Sequence, residues 1–257
     1  MKFHIETKKI SKIFEEGERG KELIAIDEVS LGIKPREIVA LVGRSGCGKT
    51  TLLKIMGGIL TPTGGVITIG GKPASRTSLQ KEVGFVFQKP ALLPWRTVLE
   101  NVLLPLEIMD KASPRKTNTE KAKEMLAKVG LLEFNDFQVQ ELSGGMQQRV
   151  SLARTLVFEP KVLLMDEPFS SLDEITRDAM DTMLLNLWQR KKPTIIFVTH
   201  SIREAVYLSD RVVVLSGRPS RVKRVIGIDF PRPRNEAIKF TAKFNRYMKK
   251  ILSGLKD

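Results

Sequence analysis

The chain has 257 residues, of which 42% are hydrophobic and 28% charged, a composition typical of one large or two small globular domains. We expect neither a membrane span, because no run approaches about 18 consecutive apolar residues, nor a secretory signal, because the N-terminus is charged throughout. A single cysteine, Cys47, excludes an intrachain disulfide, and the net charge of +14 indicates nucleic acid, a nucleotide or an anionic membrane face as partner, with a well-solvated basic surface as the alternative.

Short apolar runs predict most of the strands. Because these runs are nearly continuous, they favour strands that are buried on both faces, as in a parallel sheet covered by helices. The runs are Ile38–Val42, Val83–Phe87, Val162–Met165, Ile195–Val198 and Val212–Leu215. Gly64–Gly71 instead alternates between glycine pairs, which predicts a more exposed, antiparallel strand.

Helical spacing dominates residues from about 88 to 157. Ala122, Met125, Leu126 and Val129 fall on one face of a predicted helix, and Gly130 is placed to end it. The pattern predicts a helical insertion between strands of one α/β core.

A glycine-rich loop, GRSGCGKT at 43–50, matches GxxxxGK[ST] between a predicted strand and a predicted helix. Its glycines let backbone N–H groups cradle phosphates, Lys49 is placed to reach the β- and γ-phosphates, and the Thr50 hydroxyl is placed to ligate Mg²⁺. A chance glycine-rich turn is the alternative. For Cys47, a small filler residue is favoured over a redox role.

Polar residues end three further strand runs. Asp166 is placed to hold Mg²⁺ and Glu167 to orient or deprotonate a water, although a helix cap would also explain this acidic pair. His200 and Gln88 end two other runs and could contact a γ-phosphate, a metal or a water; taken singly, each also has a structural explanation.

A second helix start faces an anion in the sequence ELSGGMQQRV at 141–150. Two glycines after a serine leave the first N–H groups of the helix bare, which favours a phosphate. One chain therefore carries two phosphate-facing helix starts.

The ordered set GRSGCGKT, VFQ, LSGGM, LLMDE, SSLD and THS resembles the ATP-binding cassette (ABC) ATPases over about residues 5–215. The resemblance implies an α/β fold, a P-loop NTPase with a RecA-like core, an antiparallel β portion and an inserted helical subdomain. It implies one cassette over 1–257, with the core and β portion at 1–87 and 158–257, a helical signature subdomain at 88–157, and a basic C-terminal tail from about 218 to 257.

By this resemblance Glu167 is the catalytic carboxylate, His200 the switch histidine and Gln88 the Q-loop residue. Mg²⁺ would be held by Thr50, Gln88 and Asp166. The residues that would bind ATP are Gly43, Arg44, Ser45, Gly46, Cys47, Gly48, Lys49, Thr50 and Thr51. Phe14 stands where an aromatic stacks on adenine, with an ordinary core phenylalanine as the alternative.

The family pattern also assigns the second glycine pair. Ser143, Gly144 and Gly145 would bind the γ-phosphate held by a partner chain, and Ser171, Leu172 and Asp173 would form the D-loop. One copy of each motif implies two chains per working unit, which we expect to be a C₂ homodimer. THS stands where this family commonly has THD, so Ser201 removes a carboxylate near the site.

The segments ALLPWRTVLENV, EAVYLSDRVVVLSGRPSRV and PRPR are similar to ATPases of the nitrate, sulfonate and taurine importers. That likeness implies two membrane-spanning permease subunits as partners, an extracytoplasmic solute-binding protein acting indirectly, and a peripheral location on the cytoplasmic face of the cell membrane. Trp95 would dock on a permease, or else pack inside the helical subdomain.

An ABC-type ATPase acting on nucleic acid or another non-transport complex is the alternative function, and the net charge keeps it open. We expect no nucleic acid, because the chain lacks a second cassette, sustained heptads and a zinc module. Residues 231–257 carry eight Lys/Arg against two acidic residues. A solvated helix packed by a stripe of Phe240, Phe244, Met248 and Ile251/Leu252 is favoured there over a contact with anionic lipid.

Overall fold

A computed structural model describes residues 4–16, 21–74, 82–109 and 114–256. The strands are β1 Ile5–Glu16, β2 Lys21–Ile33, β3 Ile38–Val42, β4 Gly64–Ile69, β5 Lys72–Pro73, β6 Val83–Val86, β7 Val162–Asp166, β8 Thr194–Val198, β9 Arg211–Leu215 and β10 Val222–Gly227. The α-helices are α1 Lys49–Met56, α2 Val98–Met109, α3 Arg115–Lys128, α4 Gly144–Leu156, α5 Glu174–Lys191, α6 Ile202–Leu208 and α7 Ala242–Lys256. Short 3₁₀ turns span Leu132–Phe134, Val139–Glu141 and Glu236–Phe240.

The main sheet has the strand order β10-β9-β3-β8-β7-β6. Strands β9, β3, β8, β7 and β6 are parallel, and β10 joins the edge antiparallel to β9. The five apolar runs of the sequence form the five parallel strands, so the predicted parallel sheet is confirmed.

Strand β3 lies inside this sheet and is buried on both faces. Ile38, Ala40 and Val42 point into one apolar cluster, while Val39 and Leu41 point into the other. Alternation along a strand thus feeds two core layers, which is why its sequence reads as continuously apolar.

An antiparallel sheet of order β2-β1-β4-β5 covers one face of the main sheet together with α1. Strand β4 pairs antiparallel with β1, as the alternating glycine-flanked segment predicts. Strands β1 and β2 are not among the apolar runs of the sequence. Their pairing shifts register at three places, and Lys9 and Glu28 adopt positive φ angles of 49°, so bulges interrupt the alternation of apolar residues.

Helices α2, α3 and α4 pack together and contribute to the opposite core layer. The predicted face of α3 is buried, since Ala122, Leu126 and Val129 are inaccessible to solvent. Gly130, at φ +67°, ends α3: its N–H and that of Leu131 bond back to carbonyl oxygens of the last helical turn, as predicted.

The C-terminal helix α7 packs on α6, β9 and β10. Phe244 and Ile251 are fully buried, but Phe240 is 78% exposed and Leu252 is 41% exposed. The predicted apolar stripe is therefore wrong at Phe240, which lies in a 3₁₀ turn before the helix begins and so is out of phase with it. Within the described parts of the chain, no helix is long and apolar enough to cross a lipid bilayer.

Candidate active site

The phosphate loop connects the central strand β3 to helix α1. Gly46 and Gly48 adopt φ angles of +71° and +110°, which glycine accommodates without strain. No side chain caps α1, so its first N–H groups are open to an anion. The Lys49 ammonium is almost buried and donates to the carbonyl oxygens of Gly43 and Arg44, at 3.0 Å each. The loop thereby places a cation and free N–H groups on one small surface.

Thr50 and Asp166 meet behind this loop. The Thr50 hydroxyl donates to Asp166 Oδ1 at 2.9 Å, and Asp166 is 3% exposed at the end of β7. Burial raises the pKa of the Asp166 carboxyl, while the bond from Thr50 works in the opposite direction. A hydroxyl and a carboxylate oxygen brought to one point form the kind of donor set that Mg²⁺ uses beside a bound phosphate, so the residues fit that ion.

Glu167 lies between two other strand-end residues. Its Oε2 accepts from Gln88 Nε2 at 3.0 Å, and its Oε1 lies 2.8 Å from His200 Nε2. Gln88 follows β6, Glu167 follows β7 and His200 follows β8, so adjacent parallel strands end at one edge of the sheet. Glu167 has a φ of +48°, which is unfavourable for a residue other than glycine. This backbone conformation turns the Glu167 side chain away from the direction of the strand. The three side chains form one hydrogen-bonded group.

The acidic pair does not cap a helix. Asp166 is the last residue of β7, and helix α5 begins only at Glu174. Asp173 is the residue that caps α5, with its side chain accepting from the Thr176 N–H at 2.9 Å. The helix-cap alternative for Asp166 and Glu167 is therefore wrong.

A cavity of about 400 Å³ opens beside the phosphate loop. It is lined by Phe14, Leu23, Ala25, Ser45, Gly46, Gly48, Lys49, Thr50, Thr51, Gln88, Glu167, His200 and Arg218. The structure thus brings together at one cavity Phe14, most of the phosphate loop and the strand-end residues Gln88, Glu167 and His200. The predicted site residues Gly43, Arg44, Cys47 and Asp166 do not line it. Its apolar wall and its polar wall suit a ligand with an apolar ring and a chain of phosphates.

Phe14 and Cys47, two predicted residues of the site, both pack on the apolar core. Phe14 is half-buried, packs on the core and also lines the cavity. Its surroundings therefore agree in part with both interpretations, an aromatic that stacks on adenine and an ordinary core phenylalanine. Cys47 is 2% exposed and does not line the cavity. A Cβ on Gly43 would lie 2.7 Å from the Cys47 sulfur, which shows how closely this thiol fills the space beneath the loop.

The serine–glycine–glycine segment does not line this cavity. Ser143 caps helix α4, with its hydroxyl accepting from the Met146 N–H at 3.3 Å. A Cβ on Gly144 would meet nothing within 4 Å, whereas one on Gly145 would touch Leu172 at 3.0 Å. The helix start therefore presents an open face, and Leu172 of the predicted D-loop supports it from one side.

Trp95 is 73% exposed, so the alternative in which it packs inside the helical subdomain is wrong. The loop that carries it is nevertheless held in place. The Leu93 N–H donates to Asn101 Oδ1 at 2.8 Å, and Arg154 donates to the Ala91 carbonyl oxygen at 2.8 Å. A fixed loop thus presents a large aromatic ring to the outside, a typical feature of a docking surface.

Two residues near the site were missed by sequence reasoning. Arg218 follows β9 and reaches the phosphate loop, donating to the Gly46 carbonyl oxygen from Nε at 3.0 Å and from Nη2 at 2.6 Å. Glu204 lies in α6, behind His200. No spacing in the sequence marks either residue, because both approach the site through tertiary packing.

Glu204 is buried beneath the loop that carries His200. Its Oε2 accepts from the Thr199 hydroxyl at 2.5 Å, and its backbone N–H donates to the Ser201 hydroxyl at 3.2 Å. Burial raises the pKa of the Glu204 carboxyl to about 7. Ser201, where the family commonly has Asp, caps α6, so in this chain the cap comes from a neutral side chain.

A second buried carboxyl, Asp181, lies near Glu204, and its pKa is also raised, first by burial and then by the charge of Glu204. Lys239 is the nearby cation that opposes this shift. Its ammonium is buried, pairs with Asp178 at 2.7 Å and lies 4.2 Å from the centre of the Tyr207 ring. Glu204, next to the loop that carries His200, and its neighbour Asp181 are thus two buried carboxyls, and burial favours the protonated form of each.

A parallel sheet with a phosphate loop at its centre, a covering antiparallel sheet and a helical layer together define a phosphate-loop ATPase built as a cassette. The family model described as ABC transporter matches residues 26–170, and the chain belongs to this family. It is an ATP-binding ATPase, and ATP hydrolysis in this family is coupled to transport.

The relatives include an uncharacterized ABC transporter ATP-binding protein of Methanocaldococcus jannaschii, 46% identical over all of this chain and 93% of the relative. The aliphatic sulfonates import ATP-binding protein SsuB of Bacillus cereus is 40% identical over 95% of this chain and 92% of the relative. The taurine import ATP-binding protein TauB of Pseudomonas putida is 43% identical over 82% and 79%. The predicted resemblance to the sulfonate and taurine importer ATPases is confirmed.

Among solved structures, the chain is similar to the ATP-binding cassette MJ0796, described as dimeric in a post-hydrolysis state bound to ADP and Pi. The TM-score is 0.81 and the identity 32%, over 88% of this chain and all of the other. The predicted cassette fold is confirmed.

Proposed function

We propose that this chain is the ATP-hydrolysing subunit of an importer for a small anionic solute such as nitrate, a sulfonate or taurine. One observation carries the enzymatic part: the carboxylate of Glu167 lies between Gln88 and His200 at the cavity of the phosphate loop. A carboxylate in that position is able to act on a water that attacks the last phosphate of a nucleotide held by the loop.

In this mechanism the open N–H groups of α1 and the Lys49 ammonium bind the β- and γ-phosphates, and the Phe14 ring stacks on adenine. Glu167 orients the attacking water and accepts its proton as a bond forms between the water oxygen and the γ-phosphorus and the bond to the β,γ-bridging oxygen breaks. His200 donates a hydrogen bond to the γ-phosphate as charge develops there. Gln88 holds the Glu167 carboxylate in place.

Thr50, Asp166 and Gln88 would hold Mg²⁺. The ion, when bound, supplies neutralising charge to the phosphates. Asp166 is oriented for this role by the hydroxyl of Thr50, and its burial keeps competing water away.

The working unit is proposed to be a pair of these chains. Ser143, Gly144 and Gly145 lie outside the lining of the cavity of their own chain, yet they form a helix start that Ser143 caps and that is sterically open at Gly144. A second copy in C₂ arrangement would place this helix start against the γ-phosphate bound by the first. A dimeric cassette is among the similar structures, which supports a dimeric working unit.

The membrane partners are proposed to be two permease subunits, which receive an extracytoplasmic binding protein on the other side, with the cassettes on the cytoplasmic face. The exposed Trp95 on its fixed loop suits a contact with a helix of the permease. Sulfonates and taurine as solutes rest on the importers named among the relatives, whereas nitrate rests on the likeness of the sequence segments alone.

The test of this function uses Glu167→Gln, which keeps the shape of the side chain and removes its basicity. We expect ATP binding to be retained, turnover to fall by about 10³-fold or more, and an ATP-dependent dimer to accumulate in size-exclusion chromatography. Glu133→Gln, at an exposed position in a 3₁₀ turn, is the matched control and should behave as the parent chain. Parental turnover in Glu167→Gln would show that another group is the base.

The solute is tested by uptake of labelled taurine, an alkanesulfonate and nitrate into cells in which the gene for this chain is deleted and then restored. Restoration by the parent chain but not by Glu167→Gln would identify the transported solute. Equal uptake with and without the chain, for all three compounds, would contradict the solute class.

A further inference from the structure

Arg218 contacts the phosphate loop, although it belongs neither to the phosphate-loop motif nor to the strand-end residues of the site. Its Nε and Nη2 both donate to the carbonyl oxygen of Gly46, at 3.0 and 2.6 Å. The approach is close, because a Cβ on Gly46 would lie 3.2 Å from Nη2. An arginine from the β9–β10 connection therefore holds the apex of the loop that binds phosphate.

The connection that carries Arg218 is itself anchored to β2. The Ser220 N–H donates to the Ala25 carbonyl oxygen, and the Asp27 N–H donates to the Ser220 carbonyl oxygen, both at 3.0 Å. Arg221 adds a bond from Nε to Asp27 Oδ2 at 2.9 Å. Although Arg218 is exposed, its backbone is fixed between the antiparallel sheet and the phosphate loop.

The guanidinium of Arg218 has donors left over. An arginine carries five N–H groups, and in the described parts of the chain only Nε and Nη2 of Arg218 make hydrogen bonds, which leaves the N–H groups of Nη1 available. Within the residues that the structure describes, no carboxylate lies within 4.0 Å of this guanidinium, in contrast to Arg221, which pairs with Asp27. Because Arg218 lines the cavity, its charge is available to an anionic ligand there.

The order of strands decides which part of the ligand Arg218 can reach. Arg218 follows β9, on one side of β3, whereas Glu167 and His200 follow β7 and β8, on the other side. Its connection is bonded to Ala25 of β2, which lines the cavity together with Leu23 of the same strand. Arg218 therefore faces the part of the nucleotide that is present in both ATP and ADP, away from the γ-phosphate.

We propose that Arg218 is a nucleotide-binding residue that fixes Gly46 and directs its remaining N–H groups to the phosphates of a bound nucleoside di- or triphosphate. This inference rests on the proposed ATP site. It differs from a purely structural role because it predicts a loss of affinity that is equal for ATP and ADP and separate from the chemical step.

The experiment measures binding of ATP and ADP by calorimetry, together with steady-state ATPase kinetics, in the parent chain and in variants at position 218. A charge-assisted hydrogen bond at a partly exposed site suggests a loss of about tenfold in affinity. Arg218→Ala and Arg218→Gln should each weaken ATP and ADP by that factor, with kcat within about twofold of the parent. Arg218→Lys should recover most of the affinity, because it keeps the charge.

The matched control is Lys223→Ala, which removes a positive charge from exposed β10 and should leave nucleotide affinity unchanged. Affinity in Arg218→Gln equal to that of the parent would overturn the proposal, as would a loss confined to ATP or to kcat. A parent chain that neither binds nor hydrolyses ATP would instead refute the proposed function. Thermal melting of each variant identifies any that fail to fold, and Arg218→Gln, with a smaller change in shape, then replaces Arg218→Ala.

Discussion

The buried carboxyl of Glu204 predicts a specific dependence of stability on pH. Its pKa rises from the ordinary 4.5 to about 7, first because of burial, while the Thr199 hydroxyl and Arg177 act in the opposite direction and Glu167 raises it further. Asp181 faces it as a second buried carboxyl. Between these two pH values the folded chain keeps a proton that the unfolded chain releases.

The direction and the magnitude of this change in stability with pH follow from proton linkage. A carboxyl whose pKa is raised in the folded state contributes stability that is fully present below the unfolded pKa and is lost as the pH rises through the folded pKa. Over the whole window the loss is about 3 kcal/mol, since each pKa unit is worth about 1.4 kcal/mol, and most of this loss falls between pH 5 and pH 8.

The perturbation is Glu204→Gln, which keeps an oxygen able to accept the bond from Thr199 and cannot ionise. We expect the variant to gain stability relative to the parent chain as the pH rises from 5 to 8, by most of the roughly 3 kcal/mol that the parent loses over the whole window. The assay is urea denaturation followed by circular dichroism at several pH values, without nucleotide. Glu133→Gln is the exposed control and should follow the parent. Parallel pH dependences of Glu204→Gln and the parent would refute the reasoning.

Two other predictions concern surfaces rather than the core. Ser143→Arg should reduce ATP hydrolysis to a few per cent while leaving nucleotide binding to the monomer within about twofold, at a cost of about 1 kcal/mol in stability from the lost helix cap; weakened binding to the monomer, measured by calorimetry, would show that this segment acts within its own chain. Trp95→Ala should change the free energy of unfolding by less than about 0.5 kcal/mol, because the ring is exposed, and leave the isolated ATPase unchanged, yet weaken co-purification with membrane subunits. Undiminished recovery of those subunits would exclude Trp95 from the docking surface.

Apolar runs predicted the parallel strands because burial on both faces favours apolar side chains throughout β3 and in β7 up to Met165. The same rule failed for β1 and β2, where one face is solvated and bulges at Lys9 and Glu28 shift the alternation. It also placed Phe240 in a helical stripe, since periodicity alone does not show that α7 begins only at Ala242.

The sequence likewise predicted some features of the candidate site but not others. The phosphate loop and the strand-end residues Gln88, Glu167 and His200 were predictable, because parallel strands that end in polar residues must bring them to one sheet edge. Their roles in catalysis remain predictions, of which Glu167→Gln tests the role of Glu167. The geometry added what adjacency could not, namely that one carboxylate contacts both an amide and an imidazole.

The sequence alone was enough to predict the local chemistry: a loop whose glycines permit positive φ, a lysine and a threonine that follow it, and carboxylates directly after apolar strands. These are properties of neighbours along the chain, and short-range sterics and burial enforce them. Two other contacts became visible in the tertiary structure alone. Arg218, from the β9–β10 connection, donates to the Gly46 carbonyl oxygen, and the buried Glu204 accepts from Thr199, the residue before His200. Arg218 and Gly46 lie far apart along the chain, and the burial of Glu204 depends on how helix α6 packs against the sheet. Because both features arise from tertiary packing, no spacing in the sequence predicts them.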